Sequence, residues 1–219
     1  MTRRRTLITS GVGLVAAGVA LLGYVAWQYV GTTVVADRAQ ARTVERLEQQ
    51  WGPSTSPVEA LGPDDPVPGD AIAVVRVPRF GADYAVPVVE GVDPDALASG
   101  LGHFDGSAAP GAAGNFALAG HRVTQGEPLR DIDELRPGDE VIVETAHAVL
   151  TYRVDTDPDD LEVDDTQGWV VDPRPDNPVA GGVQPAGAAR LLTLVTCAEL
   201  FHTDERTVVF GHLVATAPR

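Results

Sequence analysis

The sequence has no lysine and only one cysteine, and each scarcity narrows the possible chemistry. All 16 basic residues are arginine, which excludes mechanisms that use a lysine Schiff base or a lysine base. A single cysteine, Cys197, permits no internal disulfide and is a candidate reactive thiol. The 31 acidic residues give a net charge of −15, which would repel the phosphates of a nucleic acid. We therefore expect no nucleic-acid partner.

Residues 1–31 predict a cytoplasmic arginine cluster and a transmembrane helix. Arg3, Arg4 and Arg5 precede an uncharged tract from Leu7 to Val30. At about 1.5 Å per residue, a helix of this length crosses a hydrocarbon core of about 30 Å. The arginines place the N-terminus in the cytoplasm and the remainder of the chain outside the cell membrane. The alternative is a cleaved signal peptide, whose apolar region is usually shorter, about 7–15 residues.

Residues 32–70 predict a connection between this anchor and a globular domain. The polar segment from Thr32 to Gln50 has the spacing of a juxtamembrane helix. Proline and glycine recur from Trp51 to Asp70, which is typical of an extended linker. A domain over residues 71–219 is expected to follow.

The pattern in residues 71–219 is typical of an all-β domain. Short apolar runs are separated by glycine and proline, and about eight such strands favour a closed β-barrel or a sandwich. Single helical turns are predicted at Asp93–Gly100 and Pro128–Leu135. The predicted strands are Ala71–Val77, Tyr84–Val89, Asn115–Gly120, Glu140–Thr145, Val149–Asp155, Gly168–Val171 and two more within Leu191–Leu213.

The two strands predicted within Leu191–Leu213 bring a thiol near a guanidinium. Cys197 falls where the first apolar run stops, and Arg206 opens the second run. A side chain at the end of one strand and another at the start of its neighbour can face the same small volume. This volume is our candidate active site.

A cysteine nucleophile needs a neighbouring base or cation to stabilise its thiolate. The best candidate is His121, because it ends the apolar run Phe116–Gly120 and faces a loop. The alternative is a buried cysteine that acts as a small hydrophobe, with a histidine that merely finishes a strand. The other histidines are His103, His147, His202 and His212, and we expect His103 and His147 to be structural or exposed.

A fixed guanidinium could stabilise the oxyanion that forms during acyl transfer. Arg206 is the candidate, and the alternative for it is a surface ion pair with Asp204 or Glu205. Its rivals are Arg122, Arg153 and Arg190.

Two motifs resemble those of the sortase family. Thr193-Leu194-Val195-Thr196-Cys197 is similar to the TLxTC signature, and Ala119-Gly120-His121-Arg122 is similar to the motif that carries the sortase histidine. The segment from Gly102 to Phe116 resembles the corresponding part of class E members. The resemblance implies a closed β-barrel behind an N-terminal membrane anchor. The residues that follow the cysteine, Ala198–Phe201, depart from the family pattern, which leaves the peptide preference open.

The resemblance also implies an activity and its participants. Cys197 would attack the Thr–Gly bond of an LAxTG or LPxTG sorting signal, His121 would be the general acid and base, and Arg206 would hold the oxyanion. Thr196 would shape the substrate pocket. The implied partners are secreted proteins that carry the signal, a peptidoglycan-precursor amine as acceptor, and the lipid bilayer. No cofactor is implied.

The acidic run Asp155–Asp165 invites comparison with the calcium sites of some sortases. Its residues lack an ordered ligand spacing, so we interpret it as a solvated loop and expect no metal. Two other functions remain open. One is a different cell-wall cysteine acyltransferase, such as an L,D-transpeptidase, and the other is a membrane-tethered binding domain without activity.

Overall fold

The computed structural model describes residues 2–27, 31–52, 71–197 and 204–219. It contains three α-helices, which are α1 (Thr2–Ala26), α2 (Thr32–Trp51) and α3 (Pro94–Ser99). The strands are β1 (Ala71–Arg76), β2 (Val86–Glu90), β3 (Leu101–His103), β4 (Gly114–Ala119), β5 (Glu140–Glu144), β6 (Ala148–Val154), β7 (Glu162–Asp164), β8 (Arg190–Cys197) and β9 (Glu205–Pro218).

Eight of these strands close into a barrel. Their order is β6-β5-β1-β2-β3-β4-β8-β9, and pairing of β9 with β6 completes the ring. The β2–β3 and β4–β8 pairs are parallel and the other pairs are antiparallel. The ninth strand, β7, pairs with β9 outside the ring. The predicted closed barrel of about eight strands is confirmed, and the sandwich alternative is wrong because both edges of the sheet are paired.

The barrel interior is filled by alternate side chains of its strands. Phe116, Leu118, Leu192 and Leu194 belong to this core and are each at most 1% exposed. Backbones and side chains approach closely at Gly120, where an added Cβ would lie 2.7 Å from Leu101. A second apolar cluster lies on the outer face of β8 and β9 and contains Leu161, Val163, Trp169, Val170, Val195, Val208 and Phe210.

Helix α2 occupies the segment where the sequence predicts a helix, and it packs against the barrel. Val44 and Leu47 on its buried face form a cluster with Val74 of β1. Residues 53–70 of the predicted linker lie outside the residues that the structure describes.

Helix α1 spans most of the tract that the sequence interprets as a membrane anchor. Within the described part of the chain, no helix combines the length and the apolar character that crossing a membrane requires. The predicted anchor is therefore not confirmed.

The predicted strand at Gly168–Val171 is wrong, because this segment forms a 3-10 turn. A short apolar run is compatible with either conformation, and packing decides between them. Here Trp169 packs on Phe210, with 6.1 Å between ring centroids. The Val170 carbonyl accepts hydrogen bonds from the Asn115 and Thr193 side chains instead of from a neighbouring strand. The three-residue strands β3 and β7 are absent from the sequence prediction.

Candidate active site

His121 lies just beyond the end of β4, where two hydrogen bonds attach the chain to β8. The Gly120 amide donates to the Val195 carbonyl at 3.1 Å. The Thr196 hydroxyl donates to the Gly120 carbonyl at 2.8 Å, and Thr196 is only 2% exposed. A buried hydroxyl therefore fixes the backbone of the residue that precedes His121, which is itself half-buried.

Cys197 is the last residue of β8, between the strands that lead to His121 and Arg206. Val195, two positions earlier, pairs with Ala119 of β4. Cys197 itself pairs with Arg206 of β9. The strand order β4-β8-β9 thus places the backbones of the three predicted catalytic residues on adjacent strands at one end of the barrel.

A groove of about 430 Å³ opens at this end of the barrel. Three of the predicted site residues, His121, Thr196 and Arg206, line it. Its walls are largely apolar, and its polar rim includes Asp164 and Asp165. The apolar lining includes Val92, Leu97, Phe104, Val163, Val170, Val171 and Val195. A groove with this lining can hold an extended peptide with an apolar side chain.

The Arg206 guanidinium is held at the groove by β7 and its continuation. Val163 of β7 pairs with Arg206 in the backbone. Arg206 Nη2 lies 3.5 Å from Asp165 Oδ2, and Nη1 donates to the Glu205 carbonyl at 3.0 Å. Asp165, which the sequence did not indicate, is thus an ion-pair partner of Arg206, and Glu205 contributes its backbone carbonyl. The guanidinium remains partly accessible, with 27% of the side chain exposed.

The neighbouring Asp164 carboxylate is stabilised in its charged form. Hydrogen bonds from the Thr166 hydroxyl and amide, aided by the charge of Arg206, hold the pKa of Asp164 below its ordinary value. The rim of the groove consequently carries negative charge close to Arg206.

The rival arginines lie elsewhere in the described chain. Arg122 forms an ion pair with Asp133. Arg190 begins β8 at the end opposite Cys197, and Arg153 is exposed on β6. Of the four arginines compared, all within the described ranges, Arg206 alone lines the groove.

Three of the other histidines have positions that fit structural or surface roles. The buried His103 ring lies between Glu90, whose Oε2 is 2.8 Å from Nδ1, and the Ser107 hydroxyl, which is 2.8 Å from Nε2. His147 is exposed in the turn between β5 and β6. His212 Nδ1 lies 2.7 Å from Asp155 Oδ1. His202 and the divergent segment Ala198–Phe201 lie outside the described residues.

Sequence reasoning missed Asn115 as a support of the groove. Its side chain is fully buried and donates to the carbonyls of Val170 and Asp172, while its Oδ1 accepts from Thr193. These bonds fasten the turn that forms one wall of the groove to the barrel. The sequence signal that could have identified Asn115 is its amide side chain, which stands at the start of the apolar run before His121.

The acidic run Asp155–Asp165 is more ordered than the predicted loop. Asp157 caps a 3-10 turn, and Glu162–Asp164 form β7. Within the described ranges, no group of three or more histidine, cysteine, aspartate or glutamate side chains is arranged to hold a metal ion.

Comparison with known proteins identifies the class of this fold. Residues 75–214, more than half of the chain, match the family model of the sortase domain. The chain belongs to the sortase family and carries a sortase-type enzyme domain.

Its relatives place it with class E. Sortase SrtE1 of Streptomyces coelicolor is 33% identical over 217 residues, which cover 94% of this chain and 56% of SrtE1. The chain thus spans little more than half the length of that relative. The structure of sortase E from Streptomyces avermitilis is 39% identical, with a TM-score of 0.60, over 69% of this chain and 93% of that one. Sortase E1 from Streptomyces coelicolor with a tripeptide in the active site is 34% identical, with a TM-score of 0.58, over 70% and 94% of the two chains.

Proposed function

We propose that the protein is a membrane-anchored cysteine transpeptidase that joins secreted proteins to a cell-wall amine. The observation that carries this proposal is the groove at the end of β8, which His121, Thr196 and Arg206 line beside the backbone of Cys197. Membership of the sortase family supports the same reaction.

The first half-reaction cleaves the donor. The Cys197 thiolate attacks the threonine carbonyl carbon of a Thr–Gly bond, and Arg206 donates hydrogen bonds to the resulting oxyanion. The C–N bond then breaks as the protonated imidazole of His121 gives its proton to the departing glycine amine. A thioester remains on Cys197.

The second half-reaction returns the enzyme to its starting state. The amine of the acceptor attacks the thioester carbon and passes a proton to neutral His121. The C–S bond breaks, the Cys197 thiolate is restored, and a new amide joins donor and acceptor. No cofactor takes part in either step.

The donor is a secreted protein with a sorting signal of the LAxTG or LPxTG type, and the acceptor is a peptidoglycan-precursor amine. The apolar lining of the groove, including Phe104 and Val170, suits the leucine of such a signal. The relative whose structure holds a tripeptide in its active site supports a peptide substrate here as well.

We propose that the N-terminal tract holds the protein in the cell membrane, with the barrel outside the cell. Helix α1 exposes apolar side chains over residues 11–25, and Leu14 is 75% exposed. An apolar helix without a polar face is expected to be covered by lipid or by protein. The arginines before it favour a cytoplasmic N-terminus.

The test is transpeptidation by the full-length chain in a mild detergent. LAxTG and LPxTG peptides are incubated with amine acceptors, and products and thioester are followed by mass spectrometry. Cys197→Ala and His121→Ala should each lower kcat/KM by at least about 10³-fold. Arg206→Lys should lower it by about 10²-fold, because an ammonium lacks the planar fork of the guanidinium.

Arg190→Lys is the matched control, since it makes the same substitution on the opposite end of β8, and its activity should match the wild type. Full activity of Cys197→Ala would refute the cysteine mechanism. A wild-type protein that binds the peptides and forms neither thioester nor product would favour the binding-domain alternative. Acyl transfer to peptides without a Thr–Gly bond would favour another cell-wall acyltransferase.

A further inference from the structure

The loop that begins at His121 is closed on itself and tied to the barrel. The Leu129 amide donates to the His121 carbonyl at 3.0 Å, which joins the two ends of residues 121–129, here named the histidine loop. Leu129 is 1% exposed in the barrel core, and the Tyr84 hydroxyl donates to the Pro128 carbonyl at 2.6 Å. The far end of the loop is thus fixed.

The tip of the histidine loop has an unfavourable backbone conformation. Gln125, Gly126 and Glu127 have φ angles of 56°, 82° and 48°. Two of these residues carry side chains, and a positive φ is uncommon for residues other than glycine. A tip with this conformation is held by the contacts around it, one of which lies within the loop, from the Glu127 amide to the Thr124 carbonyl at 3.0 Å.

Helix α2 supplies further contacts from outside the loop. Gln40 is 4% exposed, and its Nε2 donates to the Gln125 carbonyl at 3.0 Å. The Thr33 hydroxyl donates to Glu127 Oε1 at 3.3 Å. The packing between them is close, because a Cβ added to Gly126 would lie 2.7 Å from Gln40 Nε2 and 3.0 Å from an Asp37 oxygen.

The other end of α2 is fixed to strand β1. Val44 and Leu47 pack on Val74, and Glu48 Oε1 lies 2.5 Å from Arg76 Nη2. The helix therefore connects the tip of the histidine loop to the wall of the barrel.

We propose that α2 is part of the catalytic unit and that Gln40 is a positioning residue, which holds the histidine loop so that His121 stays aligned at the groove. This inference rests on the proposed function of His121. It also moves the N-terminal boundary of the catalytic unit from residue 71 to about residue 32, beyond the match to the sortase domain family, which begins at residue 75.

The test compares Gln40→Ala with Gln49→Ala in the full-length chain. Gln49 lies on the same helix and is exposed, so the control makes the same chemical change without touching the loop. Loss of one hydrogen bond in Gln40→Ala should lower kcat by about 3- to 10-fold. KM for the sorting peptide should change by less than about 2-fold, because no residue of α2 lines the groove. Gln49→Ala should match the wild type.

Hydrogen exchange supplies a readout that does not depend on catalysis. Amides of residues 122–128 should exchange faster in Gln40→Ala than in Gln49→Ala, while amides of β4 and β8 keep their protection. Gly126→Ala disturbs the same contact from the side of the loop, and it should reproduce both effects if Gln40→Ala fails to fold.

Unchanged exchange in the loop would overturn the proposal. Faster exchange with an unchanged kcat would also overturn it, because the contact would then hold the loop without positioning His121. A wild-type protein that is inactive towards every sorting peptide would refute the proposed function instead. The contact between Gln40 and the loop would still be decided by the exchange measurement.

Discussion

Replacement of Asn115 by leucine should destabilise the domain and loosen one wall of the groove. The Asn115 side chain donates to Val170 O at 3.2 Å and Asp172 O at 3.1 Å, and it accepts from Thr193 Oγ1 at 2.8 Å. Leucine has a similar size and no polar atoms. Asn115→Leu therefore removes three hydrogen bonds at a site that is 0% exposed, without leaving a large cavity.

The magnitude follows from the number of bonds and their burial. A hydrogen bond contributes a net of about 0.5–1.5 kcal/mol, and a buried polar group left without a partner costs about 1–3 kcal/mol. Thr193 Oγ1 keeps a second acceptor, the Val170 carbonyl at 3.3 Å, so the Thr193 hydroxyl does not lose all of its hydrogen bonding. We expect the free energy of unfolding to fall by about 3 kcal/mol, which is a large part of the 5–15 kcal/mol typical of a domain.

The assay is urea denaturation of the full-length chain, with Thr193→Val and the double variant measured alongside. Because the two side chains share a hydrogen bond, the double-mutant cycle should give a coupling energy of about 1 kcal/mol. Thr216→Val, at an exposed position of β9, is the control and should change stability by less than about 0.5 kcal/mol. A loss below about 1 kcal/mol for Asn115→Leu would refute the reasoning.

Two further predictions concern acidic residues. Asp165→Asn should lower kcat/KM by about 3-fold, because Arg206 loses the carboxylate that lies 3.5 Å from its Nη2. Asp160→Asn, on the exposed turn before β7, is the control and should leave kcat/KM unchanged. Both variants are measured by peptide kinetics, and equal effects on kcat/KM would contradict the role of Asp165. Burial, and next the charge of Glu127, raises the pKa of Asp37 above its ordinary value. The contribution of Asp37 to the free energy of unfolding is therefore full below the ordinary carboxyl pKa, and it is lost as the pH rises through the raised pKa. Asp37→Asn should therefore raise Tm at pH 7 and change it little near pH 3. Glu45→Gln, at an exposed position of α2, is the control and should leave Tm unchanged at both pH values. A lower Tm of Asp37→Asn at pH 7 would contradict the predicted direction.

Local patterns were sufficient to predict the class of fold and the region of the groove. Alternating apolar residues in Val141–Thr145 and the apolar runs before His121 and Cys197 marked strands, because burial imposes a period of two on a strand. The ends of those runs marked where polar side chains meet. These patterns left a barrel and a sandwich open, and the resemblance to sortases favoured the closed barrel that the structure shows. His121, Thr196 and Arg206 line the groove. The catalytic roles of His121, Cys197 and Arg206 stay predictions.

Other features depend on contacts between distant parts of the chain, which local patterns do not reveal. The segment Gly168–Val171 forms a turn because Asn115 and Thr193 bind the Val170 carbonyl. The ion pair of Arg206 with Asp165 depends on the short strand β7, whose pairing with β9 has no signal in its own three residues. The contact of Gln40 with Gln125 joins residues 85 positions apart.

The position of β8 inside the ring has a consequence for synthesis of the protein. This strand pairs with β4, whose residues precede it by 76 positions, and with β9, which also closes the ring on β6. A nascent chain that lacks β9 has two unpaired edges, one at β6 and one at β8. The ring can therefore close only after β9 has been synthesised, and the backbone pairing of Cys197 with Arg206 depends on the same strand.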